Sequence, residues 1–476
     1  MASKIRLAAT AVVVVIVIAA GGVATMAVKP PELLKVGANY GAKMVCSNVF
    51  IAGRDGQAVL ADDVQAPGHP VLKHLKVQVD QERKTVRAQF FGFVGDGLAV
   101  YRPGTGCAAV PDGDVALASQ YQFNPIKIWA PSSNVPWPTG SLAASDATIQ
   151  ALLEQDVLAG PGMRGMVVIH RGRLIAQRYG AGFSAATPLL GWSMTKTVTA
   201  ALIGMQLADG KLSLQQSGFW PQGDSRAQVT VAQLMAMSSG LRYNEGYGDV
   251  SDVTRMLYLE PDMAAFTAAQ ALEATPGSKW NYSSGTTVLL SRMWQRAAMG
   301  EAAASGAATT MGAPAASAEV LALPHNRLFS PLGMSSAVIE ADARGNLVGS
   351  SYMYANTQDW ARFGQFLLQD GVWQGKHILP DGFVEGMRQA APASGGQYGQ
   401  GQVWRWGPAG DTPDGQNPDT RFQLPADTYW MQGHDGQSIA IVPSQQLVVV
   451  RLGLTPHRLL YQPQALLAAV VKALPQ

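Results

Sequence analysis

The most informative stretch of this chain is Gly191-Trp192-Ser193-Met194-Thr195-Lys196-Thr197. It opens a run in which apolar residues recur at helical spacing from Met194 to Leu207, and Gly210 stands where a helix ends. The run therefore predicts a helix that is apolar on nearly every side and buried at the centre of a domain. Ser193 falls in its first turn, and Lys196 lies three residues further on the same face, so the two side chains can meet.

A serine and a lysine at this spacing have a chemical use. A serine hydroxyl is a weak nucleophile until a neighbouring base accepts its proton. A lysine in an apolar pocket has a lowered pKa and can act as that base, and the start of a helix favours the negative charge that develops there. Alternatively, Ser193 is an N-capping serine and Lys196 is a surface lysine. The apolar surroundings of the pair favour the catalytic interpretation.

The composition is that of a globular, loop-rich protein. The chain has 476 residues, of which 47% are hydrophobic and 14% are charged, with 51 glycines and 28 prolines. This length predicts two or three domains. The net charge is +2 and no basic run occurs, so a nucleic-acid partner is not expected. The sequence contains no spacing typical of a metal or cofactor site, and neither is expected.

The N-terminal segment predicts export. Residues 7–28 contain no charged residue and follow Lys4 and Arg6. The apolar region of a secretory signal is usually shorter, roughly 7–15 residues, whereas a spanning helix needs about 20 residues. Small residues at 22–27 nevertheless offer cleavage sites. Residues 1–29 are therefore predicted to be either an uncleaved inner-membrane anchor or a cleaved signal peptide, and in both cases the rest of the chain is periplasmic.

The two cysteines, Cys46 and Cys107, agree with export. In an oxidising compartment they are expected to form a disulfide. Such a bond would close a loop of about 60 residues and stabilise the fold by roughly 4 kcal/mol in the chain-entropy model. The alternative is a pair of buried free thiols.

Residues 36–125 are predicted to form a small β-rich unit that contains this disulfide. Short runs with the composition of strands occur at 49–52, 75–79, 85–91 and 97–101. Residues between these runs include Gly, Asp and Pro, as turns do. The unit carries no recognisable catalytic constellation. The following Pro- and Ser-rich residues, 126–144, are predicted to be a linker.

Residues 145–476 are predicted to be the catalytic domain. Two β-hairpins, over 165–179 and 438–452, lie near its two ends and predict one sheet built from both ends, with helices inserted between them. His170, at the turn of the first hairpin, is interpreted as structural. An Ala-, Gly-, Ser- and Thr-rich insertion is predicted at 301–317 and long loops at 391–428. Further helices are predicted at 145–158, 230–241, 286–297, 359–368 and 463–473.

Two more motifs follow Ser193 and Lys196 along the chain, Tyr282-Ser283-Ser284 and His434-Asp435-Gly436. In this order the motifs resemble those of the serine β-lactamase-related family. That family includes class C β-lactamases, D-alanyl-D-alanine carboxypeptidases, esterases and 6-aminohexanoate-dimer hydrolases. The resemblance covers roughly residues 150–475. Other stretches that look like family landmarks are 234–241, 276–283, 331–334 and 371–376.

The resemblance implies an α+β fold of the β-lactamase/transpeptidase type, in which helices flank an antiparallel sheet and a helical subdomain is inserted. Ser193 would be the acylated nucleophile, Lys196 its proton acceptor and Tyr282 a proton shuttle, as a phenol with a lowered pKa or as a relay to the leaving group. The backbone N–H groups of Ser193 and Gln437 would form the oxyanion hole, because the edge strand after Gly436 would lie against the helix start. Gly436 would let the substrate approach that strand closely.

The chain departs from the lactam-hydrolysing members at two places. Ser284 stands where they carry Asn, and His434-Asp435-Gly436 stands where they carry Lys-Thr-Gly. A histidine is mostly neutral at pH 7, and Asp435 is expected to point away from the site because it would repel an anion. These departures argue against an efficient β-lactamase. The predicted substrate-binding residues are Ser284, His434 and Gly436.

The sequence therefore predicts an exported serine hydrolase that cleaves an ester or amide through an acyl-enzyme, similar to the esterase and 6-aminohexanoate-dimer hydrolase members. Its partners would be a small-molecule or short-peptide substrate and, if the N-terminal segment is uncleaved, the inner membrane. One alternative is a D-alanyl-D-alanine carboxypeptidase or weak β-lactamase. Another is a penicillin-recognising sensor or envelope protein that is acylated without turnover. An intact Ser193, Lys196 and Tyr282 argue against a pure scaffold.

Overall fold

The computed structural model describes residues 29–300 and 317–475. The predicted anchor or signal at 1–29 and the predicted insertion at 301–317 lie almost entirely outside the described residues. Within these two ranges no helix is both long and apolar enough to cross a membrane.

The N-terminal unit is one long helix packed on a four-stranded antiparallel sheet. The helix, α1 (Glu32–Phe50), approaches the sheet closely because small residues face it: a Cβ atom on Gly41 would lie 2.3 Å from Leu75 Cδ2. The strands follow in chain order and pair as neighbours. Their bounds are β1 (Leu75–Asp80), β2 (Thr85–Phe90), β3 (Val94–Arg102) and β4 (Gly106–Ala109), with short helices α2 (Gly56–Val59) and α3 (Val115–Ala118).

The prediction of a strand at 49–52 is wrong, because these residues lie at the C-terminal end of α1. Phe50 is the last helical residue and the Ile51 N–H donates to the Ser47 carbonyl. The other three predicted strands of the unit correspond to β1, β2 and β3. Cys46 on α1 and Cys107 on β4 are joined by a disulfide, with their Cα atoms 6.1 Å apart. The bond ties the long helix to the edge of its sheet.

A five-stranded antiparallel sheet in the order β12-β13-β14-β5-β6 forms the centre of the rest of the chain. The two predicted hairpins meet in it, since Leu447 of β14 lies opposite His170 of β5. The α+β, β-lactamase-like architecture expected from the motifs is confirmed. The strands are β5 (Met163–His170), β6 (Arg173–Tyr179), β12 (Tyr429–Gly433), β13 (Gln437–Val442) and β14 (Leu447–Gly453); smaller sheets contain β7 (Leu189–Leu190), β8 (Val338–Ile339), β9 (Met353–Ala355), β10 (Val372–Trp373) and β11 (Lys376–His377).

Helices cover both faces of this sheet, because its strands alternate between two apolar cores. Val167 and Ile169 belong to one core, and Met166 and Val168 belong to the other. The helices are α4 (Ala147–Leu153), α5 (Asp156–Ala159), α6 (Thr195–Ala208), α7 (Val231–Met235), α8 (Asp252–Leu259), α9 (Met263–Ala268), α10 (Ser284–Ala298), α11 (Ala318–Leu321), α12 (Ser330–Leu332), α13 (Thr357–Leu368), α14 (Phe383–Arg388) and α15 (Gln464–Ala473).

The N-terminal unit is joined to the catalytic region through buried charges. Lys43 of α1 forms an ion pair with Glu340 at 2.6 Å, and both side chains are almost fully buried. Arg102 of β3 donates to the carbonyl of Ala341 at 2.6 Å and to that of Asp342 at 2.9 Å. Buried charges are stable only when paired and hydrogen-bonded, so these contacts fix the position of the unit.

Candidate active site

Ser193 lies in a short 3-10 turn, Trp192–Met194, that leads directly into α6. Trp192 has a φ of 48°, a left-handed conformation that is costly for a bulky residue and holds the serine at a sharp bend. Lys196 lies in the first turn of α6 and is only 1% exposed. Its Nζ atom is 3.0 Å from Ser193 Oγ, as the spacing of the two residues predicts.

Among the residues that the structure describes, no anion lies at hydrogen-bonding distance from Lys196 Nζ. Besides Ser193, its Nζ atom donates to Ser284 Oγ at 3.0 Å and to the Ser350 carbonyl at 3.1 Å, all neutral oxygens. Burial lowers the pKa of Lys196 to about 8, and the charge of Glu245 opposes this shift only in part. A substantial fraction of the amine is therefore neutral near pH 8 and able to accept the Ser193 proton.

Tyr282 lies just before α10, with its ring centroid 4.8 Å from Lys196 Nζ. Its hydroxyl interacts with Ser193 and with Trp404. Burial, followed by the charge of Glu245, raises the pKa of Tyr282 above its usual value. Of the two roles considered for this phenol, the environment therefore favours a protonated relay and disfavours a phenolate.

Glu245 is a site residue that the sequence did not reveal. Its carboxylate accepts the Ser284 N–H at 2.7 Å and also the Ser284 hydroxyl proton. Burial raises the pKa of Glu245, and the neighbouring Lys196 lowers it. The residue lies in a loop with no recognisable motif and is 39 positions from Ser284, so only the three-dimensional fold brings it to the site.

The predicted substrate-binding role of Ser284 is wrong. The residue is fully buried at the start of α10. Its hydroxyl is held between Lys196 Nζ and the Glu245 carboxylate and has no free surface for a substrate. Ser284 therefore connects Lys196 to a buried acid.

The motif His434-Asp435-Gly436 was expected on a strand, and this is wrong. It forms the tight turn between β12 and β13, with Asp435 in a left-handed conformation at φ 57°. The edge of the sheet beside the nucleophile is β12, whose last residue is Gly433. A Cβ atom on Gly433 would lie 2.2 Å from the Gly191 carbonyl oxygen, so this strand end touches the turn of Ser193.

The predicted roles of Gly436 and Gln437 are also wrong, because neither residue lies on the edge strand beside Ser193. A Cβ atom on Gly436 would meet Arg451 and Thr455, and its carbonyl accepts from Arg451, so it packs against the sheet. Gln437 begins β13 and pairs with Gly433 of β12. The strand after Gly436 is thus the second strand of the sheet, and β12 lies between it and Ser193.

His434 is the one member of the predicted substrate-binding set that borders the nucleophile. Its ring lies 5.6 Å from the Trp192 ring and 4.7 Å from the Tyr247 ring, centroid to centroid. Its Nε2 atom is 3.5 Å from Asp435 Oδ1. Trp280, Tyr398 and Trp404 pack around Tyr282, so the site is bordered largely by aromatic rings.

The beta-lactamase family model matches residues 146–465, which is most of the chain and includes every site residue described above. The chain belongs to the beta-lactamase family. Its family region begins just before α4, so the N-terminal unit lies outside it. None of the curated proteins matches this sequence.

The comparison with solved structures finds chains that are similar to this one. A candidate 6-aminohexanoate-dimer hydrolase from Bacillus anthracis is 20% identical with a TM-score of 0.55, over 76% of this chain and 96% of that one. A candidate beta-lactamase from Bacteroides dorei DSM 17855 is 17% identical with a TM-score of 0.49, over 68% and 97%. At this identity the likeness to the Bacillus protein shows the fold and nothing finer.

Among residues 29–300 and 317–475, no cluster of three or more His, Cys, Asp or Glu side chains is arranged to hold a metal ion. The structure brings Ser193, Lys196 and Tyr282 together at this candidate site, with Ser284 and Glu245 behind the lysine.

Proposed function

We propose that this member of the beta-lactamase family hydrolyses an ester or amide through an acyl-enzyme on Ser193. The observation that carries the proposal is the 3.0 Å contact between Ser193 Oγ and a buried Lys196 whose pKa is lowered to about 8. A nucleophile and a base within hydrogen-bonding distance, with the base near its titration midpoint, are the elements of covalent catalysis.

Acylation begins when neutral Lys196 accepts the Ser193 Oγ proton and Oγ attacks the substrate carbonyl carbon. We infer that the Ser193 N–H and an N–H group at the end of β12, which touches the turn of Ser193 through Gly433, stabilise the developing oxyanion. Removing one such donor commonly costs about 3 kcal/mol of transition-state stabilisation. The scissile C–O or C–N bond then breaks, and the leaving group receives the proton of the Lys196 ammonium through the Tyr282 hydroxyl.

Deacylation reverses these proton movements. Water attacks the acyl carbon and gives its proton to Lys196, and Ser193 Oγ recovers a proton as the acid departs. Ser284 and Glu245 hold Lys196 in place throughout. Because the Ser284 hydroxyl donates to Glu245, its oxygen lone pairs face the Lys196 Nζ atom, and the nearby carboxylate stabilises the ammonium that forms after proton transfer.

The strand end beside the nucleophile favours a neutral substrate. Met431, Gln432 and Gly433 end β12, and none of them offers a positive charge to a substrate carboxylate. His434 follows them and lies beside Asp435, whose charge disfavours an anion. We therefore propose neutral esters or amides, rather than carboxylate-bearing lactams, as the substrate class.

Labelling with a fluorophosphonate probe and a burst assay with a p-nitrophenyl ester test the proposal. Wild-type protein is expected to be labelled and to turn over, and Ser193→Ala protein is expected to do neither. Labelling without turnover would instead identify an acylated sensor. Absence of labelling in the wild type would overturn the proposed nucleophile. A panel of linear amides, D-Ala-D-Ala peptides and a chromogenic cephalosporin then defines the substrate class.

We also propose that the protein is exported through residues 1–29. The uncharged stretch at 7–28 and the Cys46–Cys107 disulfide both support an oxidising destination. Fractionation of cells should place the protein with the periplasm or the inner membrane. Two alkylatable thiols in the native protein, or recovery in the cytoplasmic fraction, would contradict this.

A further inference from the structure

A cavity of about 320 Å³ lies between the N-terminal helix and the turn that carries the nucleophile. Its volume falls at the lower end of the range for ligand sites, about 300–1,000 Å³. The side chains that make it apolar come from four separate parts of the chain. They are Leu33, Val36, Val71, Leu72, Trp192 and Tyr258.

One wall of this cavity comes from residues outside the region that the family model matches. Leu33 and Val36 belong to α1, and Val71 and Leu72 belong to the turn before β1, all before the family region begins at residue 146. The buried Lys43–Glu340 ion pair holds α1 against the catalytic region, so the wall is fixed in place. The cavity therefore exists only because this chain carries the N-terminal unit.

The opposite wall belongs to the active site. Trp192, which lines the cavity, directly precedes Ser193, and His434 lines it from the end of β12. The Trp192 and His434 rings are in contact, with centroids 5.6 Å apart. The cavity therefore reaches the residue that directly precedes the nucleophile.

The acidic groups of the cavity disfavour an anionic occupant. Asp435 and Asp249 contribute the acidic groups, and the guanidinium of Arg458 belongs to an exposed residue at the solvent side. The deeper wall residues, including Val36 at 7% and Tyr258 at 4% exposure, are buried. An apolar chain gains about 0.8 kcal/mol for each methylene it buries there, whereas an isolated charge would lose its hydration.

We propose that this cavity binds the apolar acyl chain of a neutral ester or amide substrate. The assignment rests on the proposed hydrolase function and adds the part of the substrate that the enzyme selects. The N-terminal unit thus sets the acyl-chain preference of Ser193.

Substitution of Val36 by a larger residue tests the assignment. Wild-type protein is expected to hydrolyse p-nitrophenyl octanoate with a kcat/KM at least about tenfold above that for p-nitrophenyl acetate. Val36→Phe is expected to lower the octanoate value at least about tenfold and to leave the acetate value within about twofold. Lys35→Phe, at an exposed neighbouring position of the same helix, should change neither value. An unchanged octanoate value, or an equal loss for both esters, would overturn the proposal.

A binding measurement separates this proposal from the hydrolase proposal. Ser193→Ala protein is titrated calorimetrically with N-methyloctanamide, which carries the acyl chain but requires no turnover. Saturable binding that Val36→Phe weakens at least about tenfold supports the cavity assignment, even if wild-type protein hydrolyses no ester and the hydrolase proposal fails. Absence of saturable binding to the Ser193→Ala protein overturns the assignment, even if short esters are hydrolysed.

Discussion

Two buried lysines lie in two different regions of this molecule, and each is only 1% exposed. Lys43, where the N-terminal unit meets the catalytic region, has Glu340 at 2.6 Å. Lys196, in the active site, has only neutral oxygens within hydrogen-bonding distance. Burial lowers the pKa of both lysines. Glu340, in direct contact, opposes this shift for Lys43, whereas the charge of Glu245 opposes it for Lys196 from behind Ser284. The two lysines thus differ in where the nearest carboxylate lies, and this difference supports a structural role for Lys43 and the catalytic role proposed for Lys196.

Replacing each lysine by methionine should separate the two roles, and the largest loss of activity is expected for Lys196→Met. Removing a general base commonly costs about 10²–10⁴-fold in rate. The stability of the fold should not fall, because a lysine with a folded-state pKa near 8 binds fewer protons folded than unfolded and so opposes folding at pH 7. The measurements are kcat/KM with p-nitrophenyl acetate and the urea midpoint. A large drop in that midpoint would show that Lys196 is structural.

Lys43→Met is expected to lower the stability of the fold and to leave the activity unchanged. It leaves Glu340 buried without its cation, which costs about 3–5 kcal/mol of folding free energy. The folded fraction should keep its kcat/KM for p-nitrophenyl acetate. The double variant Lys43→Met/Glu340→Gln removes the stranded charge and should recover part of the loss in urea unfolding. If the double variant is no more stable than the single one, the ion pair does not account for the effect.

Glu245→Gln removes the carboxylate that is linked to Lys196 through Ser284 and so tests its effect on the lysine. The Glu245 charge raises the pKa of Lys196, so its loss should lower that pKa further below 8. Because the neutral amine is the base, activity rises with pH through this pKa, and the rising limb of the kcat/KM profile should move to lower pH. Glu273→Gln, at an exposed acid paired with Lys279, is the matched control and should leave the profile unchanged. Movement of the limb to higher pH would contradict the assigned role.

The smallest effect is expected from a lysine introduced at a partly exposed position, His434→Lys. This cation would lie beside the nucleophile but within reach of water, which limits its attraction for a substrate carboxylate to about 1 kcal/mol. The ratio of cephalosporin to p-nitrophenyl ester turnover should therefore rise by less than about fivefold. A rise of a hundredfold would mean that this position is as dry as that of Lys196.

Local patterns in the sequence were sufficient to predict that Ser193 and Lys196 meet at the start of a buried helix. The helical period from Met194 to Leu207 and the three-residue step from Ser193 to Lys196 depend only on neighbouring residues, and both are present in α6 and its leading turn. The alternation of the second and third predicted strands of the N-terminal unit is likewise local and matches β1 and β2.

Features set by packing between distant segments were not predictable. Helix α1 buries the polar residues Lys43, Ser47 and Asn48, whose partners lie inside the protein. Its sequence therefore lacks the apolar stripe by which a helix is predicted. Glu245, in a loop, reaches Ser284 at the start of α10 only through the three-dimensional fold. The error at His434-Asp435-Gly436 arose because sequence alone does not specify which strand of a hairpin lies at the sheet edge.

The pairing of β5 with β14 joins the beginning and the end of the catalytic domain, with Leu447 opposite His170. During synthesis β5 therefore leaves the ribosome on the order of tens of seconds before its partner. The hairpin with β6 protects one edge of β5, and the other edge, Met166-Val167-Val168-Ile169, stays open and apolar in the meantime. Such an edge can pair with other nascent chains. The nascent protein should accordingly depend on a chaperone that holds it unfolded until the last hairpin has been made.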